Sequence, residues 1–97
     1  MSHVVAINPF EVPSGDEDET VAAWDRFATC FSSQPGYVCA QRQESLDGDA
    51  RFRLVTVALW ESAEDFANAL QNPALGVLME ELALPTSHPG LYRVIRG

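Results

Sequence analysis

Few of the 97 residues belong to types that make or break bonds. The two cysteines, Cys30 and Cys39, are spaced for neither a CxxC redox pair nor a zinc site, and two thiols cannot build a disulfide framework. Both are expected to fill core space as small hydrophobes. A catalytic thiol would need an imidazole beside it, and His3 and His88 lie near the two ends of the chain with nothing to bring either to a thiol. No P-loop, GxGxxG, nucleophile elbow or metal-ligand cluster occurs, and no local motif indicates haem or flavin. The run Asp16-Glu17-Asp18-Glu19 reads as a solvated helix start, because four consecutive helical side chains cannot converge on one cation. Two hydrogen-bonding groups stand out by position instead. Asn8 puts a carboxamide inside an otherwise apolar stretch, beside Pro9, and Trp60 ends the most hydrophobic segment just before a helix cap. Asn8 is either a turn former where a strand ends or a group reserved for a ligand. Trp60 is either core, with its indole N–H on a backbone carbonyl, or a donor to a ligand. Trp24, on a helical stripe, reads as core.

The elements that must position these groups follow from periodicity and punctuation. Residues 4–10 are rich in β-branched side chains and read as a first strand closed by Pro13-Ser14-Gly15, with Pro9 suggesting an edge position or a bulge. Ser14 and Glu17 have capping-box spacing, and the acidic run suits a helix N-terminus. Val21, Trp24, Phe27, Ala28 and Phe31 then recur at helical spacing, so 16–33 is expected to be an amphipathic helix, stopped by Gln34-Pro35-Gly36. A second strand is expected over 37–46, a hairpin turn at Asp47-Gly48-Asp49-Ala50, and a third strand over 51–60. Ser62 and Asp65 should cap a second helix with the stripe Ala63, Phe66, Ala67 and Leu70. Asn72 breaks it, and Pro73 opens a third helical stretch carrying Leu75, Leu78, Met79 and Leu82. Residues 91–96 close the chain as a fourth strand.

This β-α-β-β-α-β order with a split second helix is the ferredoxin-like arrangement, an α+β fold with helices on one face of a four-stranded antiparallel sheet. In the third strand Phe52, Leu54, Ala58 and Trp60 fall on one face, and Val55, Val57 and Leu59 on the other. Helices cover only one of those faces, so a second copy related by a two-fold axis is expected against the other, giving a homodimer.

Composition narrows the partners. Fourteen acidic residues against six basic ones, all arginine, give a net charge of −8. Nucleic acid binding needs a basic footprint that six scattered arginines do not make, and anionic membranes are disfavoured likewise. No stretch is long and apolar enough to span a bilayer, and the first residues lack a signal-peptide pattern, so a cytoplasmic domain is expected.

Ile7-Asn8-Pro9-Phe10, Gln34-Pro35-Gly36-Tyr37, Ala50-Arg51-Phe52-Arg53 and Trp60-Glu61-Ser62, taken together, closely resemble the antibiotic biosynthesis monooxygenase domain. The resemblance covers residues 4 to about 80 and implies that 1–97 is a single domain of that type, a dimeric α+β barrel. The same scaffold hosts oxygenases, haem-degrading enzymes, isomerases and proteins without known activity. In the family's cofactor-free oxygenases a pocket between sheet and helices holds a phenol, anthrone or quinol, and an Asn and a Trp are the residues most associated with catalysis. Asn8 and Trp60 match the branch that has its Asn on the first strand. A second branch has an Asn four residues before the strand-end Trp and a Tyr six after it; those positions are Thr56 and Phe66 here. The His and second Trp of the haem-degrading branch fall on Met79 and Ala69, so haem chemistry is not implied.

The resemblance therefore implies a monooxygenase that uses O2 and no cofactor on a small aromatic substrate. An ionised phenol or enolate donates the electron that O2 needs, so the protein must favour the anion and exclude water. Asn8 and Trp60 would hydrogen-bond the anionic oxygen, within walls formed by Phe10, Phe27, Phe52, Thr56, Phe66 and Leu70. An obvious general base is absent; His88, Tyr37 and Tyr92 are weak candidates. The alternatives are an isomerase or cyclase acting through an enolate, and a non-catalytic binding or stress-response dimer.

Overall fold

The structure, a computed structural model, describes residues 3–82 and 84–97. The chain runs β1 (Val4–Glu11), α1 (Glu17–Ser32), β2 (Tyr37–Glu44), β3 (Leu54–Trp60), α2 (Ala63–Leu70), α3 (Pro73–Glu81), β4 (Thr86–Ser87) and β5 (Gly90–Arg93). It is the expected α+β, ferredoxin-like fold with a split second helix. The sheet is antiparallel, in the order β2-β3-β1-β4, and β5 also pairs with β1.

That makes five strands rather than four. β4 meets β1 at Phe10 and Glu11, β5 meets it at Val4 to Ile7, and His88-Pro89 interrupts the pair. The strand expected over 91–96 is found at Gly90–Arg93, and Thr86–Ser87 adds a second piece of the same edge before Pro89, which has no N–H to give. The His88 N–H bridges the gap by donating to the Pro9 carbonyl at 3.0 Å. A strand residue's N–H and C=O point to the same side, so the donor that Pro9 lacks would also have faced this break. β1 consequently carries its proline as a central strand, not at the edge expected from sequence, and its ladder to β3 runs unbroken from Val4–Trp60 to Phe10–Leu54.

The caps divide. Ser62 accepts the Asp65 N–H at 3.0 Å and Asn72 accepts the Ala74 N–H at 2.8 Å, with Pro73 in the first turn, as expected. The Ser14–Glu17 capping box does not form. α1 starts from Asp16 without a side-chain cap, because the Glu17 carboxylate instead accepts the Gly15 N–H at 3.1 Å. β3 starts at Leu54 rather than at residue 51. Its first expected residues belong to the hairpin loop, where Arg53 donates to the carbonyls of Ser45 and Asp47 at 3.0 and 2.7 Å.

Alternation sorts the sheet into two faces. Val4, Ala6, Asn8 and Phe10 of β1 share a side with Leu54, Thr56, Ala58 and Trp60 of β3 and with Ala40, Arg42 and Glu44 of β2. The helices lie there. Phe10, Val12 and Leu54 bury with Trp24 of α1, and Ala6 and Trp60 bury with Ala69 of α2. The opposite face holds Val5, Ile7, Val55, Val57 and Leu59, with no layer over it among the described residues, and the molecule is only 17 Å thick along its shortest axis. Both cysteines depart from expectation. Cys30 is half-buried, and Cys39 is exposed because it sits on the edge strand opposite Leu59, on the uncovered side.

Candidate active site

The helix-facing core is two clusters, not one. Phe10, Val12, Trp24 and Leu54 form the first, with Leu84 against them; Ala6, Trp60 and Ala69 form the second, flanked by Val4, Phe31, Tyr37, Ala58 and Phe66. Between them a polar row crosses three strands. Asn8 pairs with Thr56, and Thr56 pairs with Arg42. Directly opposed residues in an antiparallel pair have Cβ atoms roughly 5 Å apart, so the carboxamide and the Thr56 hydroxyl can reach one ligand atom. The Asn8 carboxamide oxygen is buried without a hydrogen-bond partner among the described residues. Rotation of the amide by 180° exchanges that oxygen for an N–H donor.

Trp60 is 1% exposed and boxed by rings: Phe66 at 5.5 Å, Tyr37 at 5.6 Å and Phe31 at 5.9 Å, all edge-on. Its indole nitrogen also lacks a partner among the described residues. Of the two readings left open by the sequence, core packing holds for the ring, but no described residue supplies the backbone carbonyl expected for its N–H. Asn8 and Trp60 share a face of the sheet. They lie four strand positions apart, a rise of about 13 Å, so both reach one atom only by leaning toward each other along the strands.

The expected walls are partly assembled. Phe10 and Phe27 are buried, Phe27 stacking on Phe31 at 6.4 Å, and Phe66 lies on Trp60. Two are taken elsewhere. Phe52 belongs to the hairpin loop, edge-on to His88 at 5.4 Å with the Arg51 guanidinium over its ring. Leu70 is 50% exposed at the end of α2; of the expected 63/66/67/70 stripe only Phe66 packs inward, beside the buried Ala69. Met79 is likewise exposed on α3.

The base candidates separate cleanly. His88 Nε2 lies 2.7 Å from the Glu11 carboxylate, which alternation puts on the face opposite Asn8, and Tyr92 pairs with Val5 on that same far side. Tyr37 alone sits with the Trp60 cluster. The His88 and Arg51 hydrogen bonds hold the Glu11 carboxyl below its ordinary value. No group of three or more metal-ligating side chains occurs among the described residues, and no described helix is long and apolar enough to cross a membrane.

The profile of the antibiotic biosynthesis monooxygenase family matches residues 3–81. The chain belongs to that family. Among solved structures it is similar to a candidate monooxygenase from Shewanella loihica PV-4, with 36% identity, TM-score 0.86 and coverage of 100% of this chain and 99% of that one. It is also similar to SnoaB, a cofactor-independent oxygenase from Streptomyces nogalater, with 28% identity, TM-score 0.85 and coverage of 100% and 97%. A haem-degrading protein from Mycobacterium tuberculosis matches at 25% identity and TM-score 0.75, over 99% of this chain and 94% of that one. No functionally curated protein matches.

Two features of this family member escaped the sequence. Arg42 completes the polar row and pairs with Asp25 of α1. Trp24 carries a third buried, unpartnered polar atom, its indole nitrogen. Helical spacing correctly predicts that the Trp24 ring is core, but spacing carries no information about whether its N–H finds an acceptor.

Proposed function

We propose that the protein is a cofactor-independent monooxygenase that oxidises a phenolic, anthrone or quinol-type aromatic with O2, working as a homodimer. The observation that carries this reading is the polar pair Asn8–Thr56 set between two aromatic clusters, with the Asn8 oxygen and the Trp60 N–H buried and unpartnered. A buried polar group without a partner costs about 1–3 kcal/mol, a cost that a ligand of complementary chemistry relieves. The printed description of SnoaB as a cofactor-independent oxygenase supports the same reading.

The chain's residues would act on the substrate anion. The Asn8 amide, turned to present its N–H, and the Thr56 hydroxyl stabilise the ionised oxygen; the Trp60 N–H, further along the same face, binds that oxygen when the side chains lean together, or a second one. The surrounding rings exclude water, which strengthens each hydrogen bond. For an anthrone, loss of a proton from the ring CH2 gives a carbanion that O2 oxidises by one electron. Recombination forms the C–O bond of a peroxide anion. Protonation gives the hydroperoxide, and loss of the remaining proton on that carbon then drives O–O cleavage, expelling hydroxide that leaves as water and forming the C=O group, so one O2 is consumed per ketone formed.

The residues present do not fit haem. Of the two histidines, His3 is exposed near the N-terminus and His88 is held by Glu11 on the far face. The test is oxygen uptake with a model anthrone, using protein stripped of metals and flavin. Uptake is expected, with Asn8→Ala and Trp60→Phe each lowering turnover about 10²–10³-fold, the loss typical of one oxyanion donor. Turnover at the native rate in both variants overturns these roles.

A further inference from the structure

Arg42 is the one charged member of the row that runs from Asn8 through Thr56 to the edge strand β2. Neighbouring strands lie about 5 Å apart, so its Cα stands roughly 10 Å from that of Asn8, a span that a two-ring aromatic covers. The guanidinium does not face this span alone. Its Nη1 donates to Oδ1 of Asp25, which α1 places one residue after the buried Trp24. The two side chains are 40% and 63% exposed, and an ion pair so wet adds little to stability. Its consequence for charge is larger.

An unpaired arginine beside two neutral hydrogen-bonding groups would be a fork for a carboxylate. Asp25 closes that fork. A guanidinium carries five N–H donors, so the paired Arg42 keeps donors for a neutral acceptor while losing the net charge that draws an anion. The next cation and anion cancel as well. Arg53 approaches Glu44, two residues from Arg42 on the same face, at 4.0 Å, and also donates to the Ser45 and Asp47 carbonyls. The row is thus held neutral within a molecule of net charge −8. That overall charge repels an anionic substituent on a ligand, and the row does nothing to offset it.

We propose that Asp25 is a specificity residue: by cancelling the charge of Arg42, it makes the site select aromatics whose only ionisable group is the one that reacts, and reject those that bring a carboxylate. The proposal rests on the monooxygenase reading for the reaction, but its test does not need turnover. Asp25 acts through Arg42 rather than on the substrate.

A hydroxynaphthamide and the matching hydroxynaphthoate, each with its two substituents at opposite ends of the rings, isolate the charge. They share a shape and a phenol, and at neutral pH only the second carries a carboxylate. Equilibrium dialysis gives a Kd for each, and the ratio of the two removes whatever the phenol contributes. The native protein should bind the amide about ten-fold more tightly. Asp25→Asn should improve the naphthoate relative to the amide about five-fold, the effect of one uncancelled charge in a wet site. Adding Arg42→Gln to that variant should abolish the gain. Asp49→Asn, which removes the same charge from the exposed hairpin loop, should leave the native ratio unchanged. A native ratio near one, a ratio that Asp25→Asn leaves alone while both ligands weaken, or an equal shift in Asp49→Asn overturns the proposal. So does a native protein that binds neither ligand at millimolar concentration. A shifted ratio in a protein that takes up no oxygen with an anthrone overturns the monooxygenase reading alone, whereas uptake with an unshifted ratio overturns this proposal alone.

Discussion

Asn8 Oδ1, Trp24 Nε1 and Trp60 Nε1 are the polar side-chain atoms that the core buries without a partner among the described residues. A small domain with a net stability of about 5–15 kcal/mol does not hold three such groups without consequence. The carboxamide is the clearest case for a trade between stability and activity. Asn8→Val keeps the strand's branched shape and removes the orphaned acceptor, so it should raise Tm by several degrees while turnover falls 10²-fold or more. Calorimetry beside the oxygen-uptake assay checks both arms, and a fall in Tm would show that the amide has a structural job. Asn8 was legible in the sequence because it is a polar residue at an inward position of an apolar strand. Trp24 was not, since its ring obeys the helical stripe and its N–H deviates only in three dimensions. Leu70 failed as a wall for a related reason: the stripe Ala63, Phe66, Ala67 and Leu70 fits a helix, but α2 turns Ala69 inward, which follows from how α2 lies on Trp60.

Between elements, one joint fixes the Trp60 end of β3. Gly36, with φ of +87°, turns the chain from α1 into β2, and its carbonyl accepts the Glu61 N–H at 2.8 Å. A Cβ there would run into the Asp65 side chain, which the Ser62 hydroxyl bonds at 3.0 Å in the α2 cap. Gly36→Ala is therefore strained twice, by left-handed backbone and by collision. It should cost about 2–3 kcal/mol and lower Tm by roughly 10–20 °C; a loss of only a few degrees would mean that the joint yields. Glu11 makes the second joint, tying β1 to His88 after β4 and to Arg51 in the hairpin loop at 2.7 and 3.2 Å. His88 first, then Arg51, lowers its pKa from 4.5, so the contact contributes its full stability above pH 4.5 and loses it as pH falls through the lower folded value. Glu11→Gln should accordingly flatten the acid limb of the stability curve below pH 4.5, and coincident acid-unfolding curves would remove the contact from that balance. The Gly36 turn was readable from Gln34-Pro35-Gly36. The Glu11 joint was not, because it links residues 77 positions apart. The split of the last strand depends on the same part of the fold, where Pro89 meets the side of β1 on which Pro9 has no N–H.

At the scale of the whole molecule, the question is what covers the bare side of the sheet. Val5, Ile7, Val55, Val57 and Leu59 occupy its centre, bordered by Cys39, Gln41 and Gln43 of β2 and by Tyr92 of β5. Leu91, Tyr92, Val94 and Ile95 add further exposed apolar surface at the C-terminal end. The centre of this face bears no charge, although the molecule as a whole carries −8, so a partner that binds by charge finds no handle there. A second copy does, because a two-fold axis lays the same apolar centre against itself and keeps the acidic surfaces outside. Alternation in β3 made the bare apolar face legible at once, since Leu54, Ala58 and Trp60 cannot be buried by the helices without turning Val55, Val57 and Leu59 the other way. Sedimentation should therefore return twice the 10.6 kDa chain mass at micromolar concentration, with a Tm that rises with protein concentration. Val57, paired with Ile7 and Gln41 near the middle of the face, is the position to break. In Val57→Arg each copy would bring an unpaired guanidinium into the apolar contact, at a cost of several kcal/mol, so the variant should sediment at the monomer mass. Monomers of the native chain at micromolar concentration would leave the bare face to a different occupant.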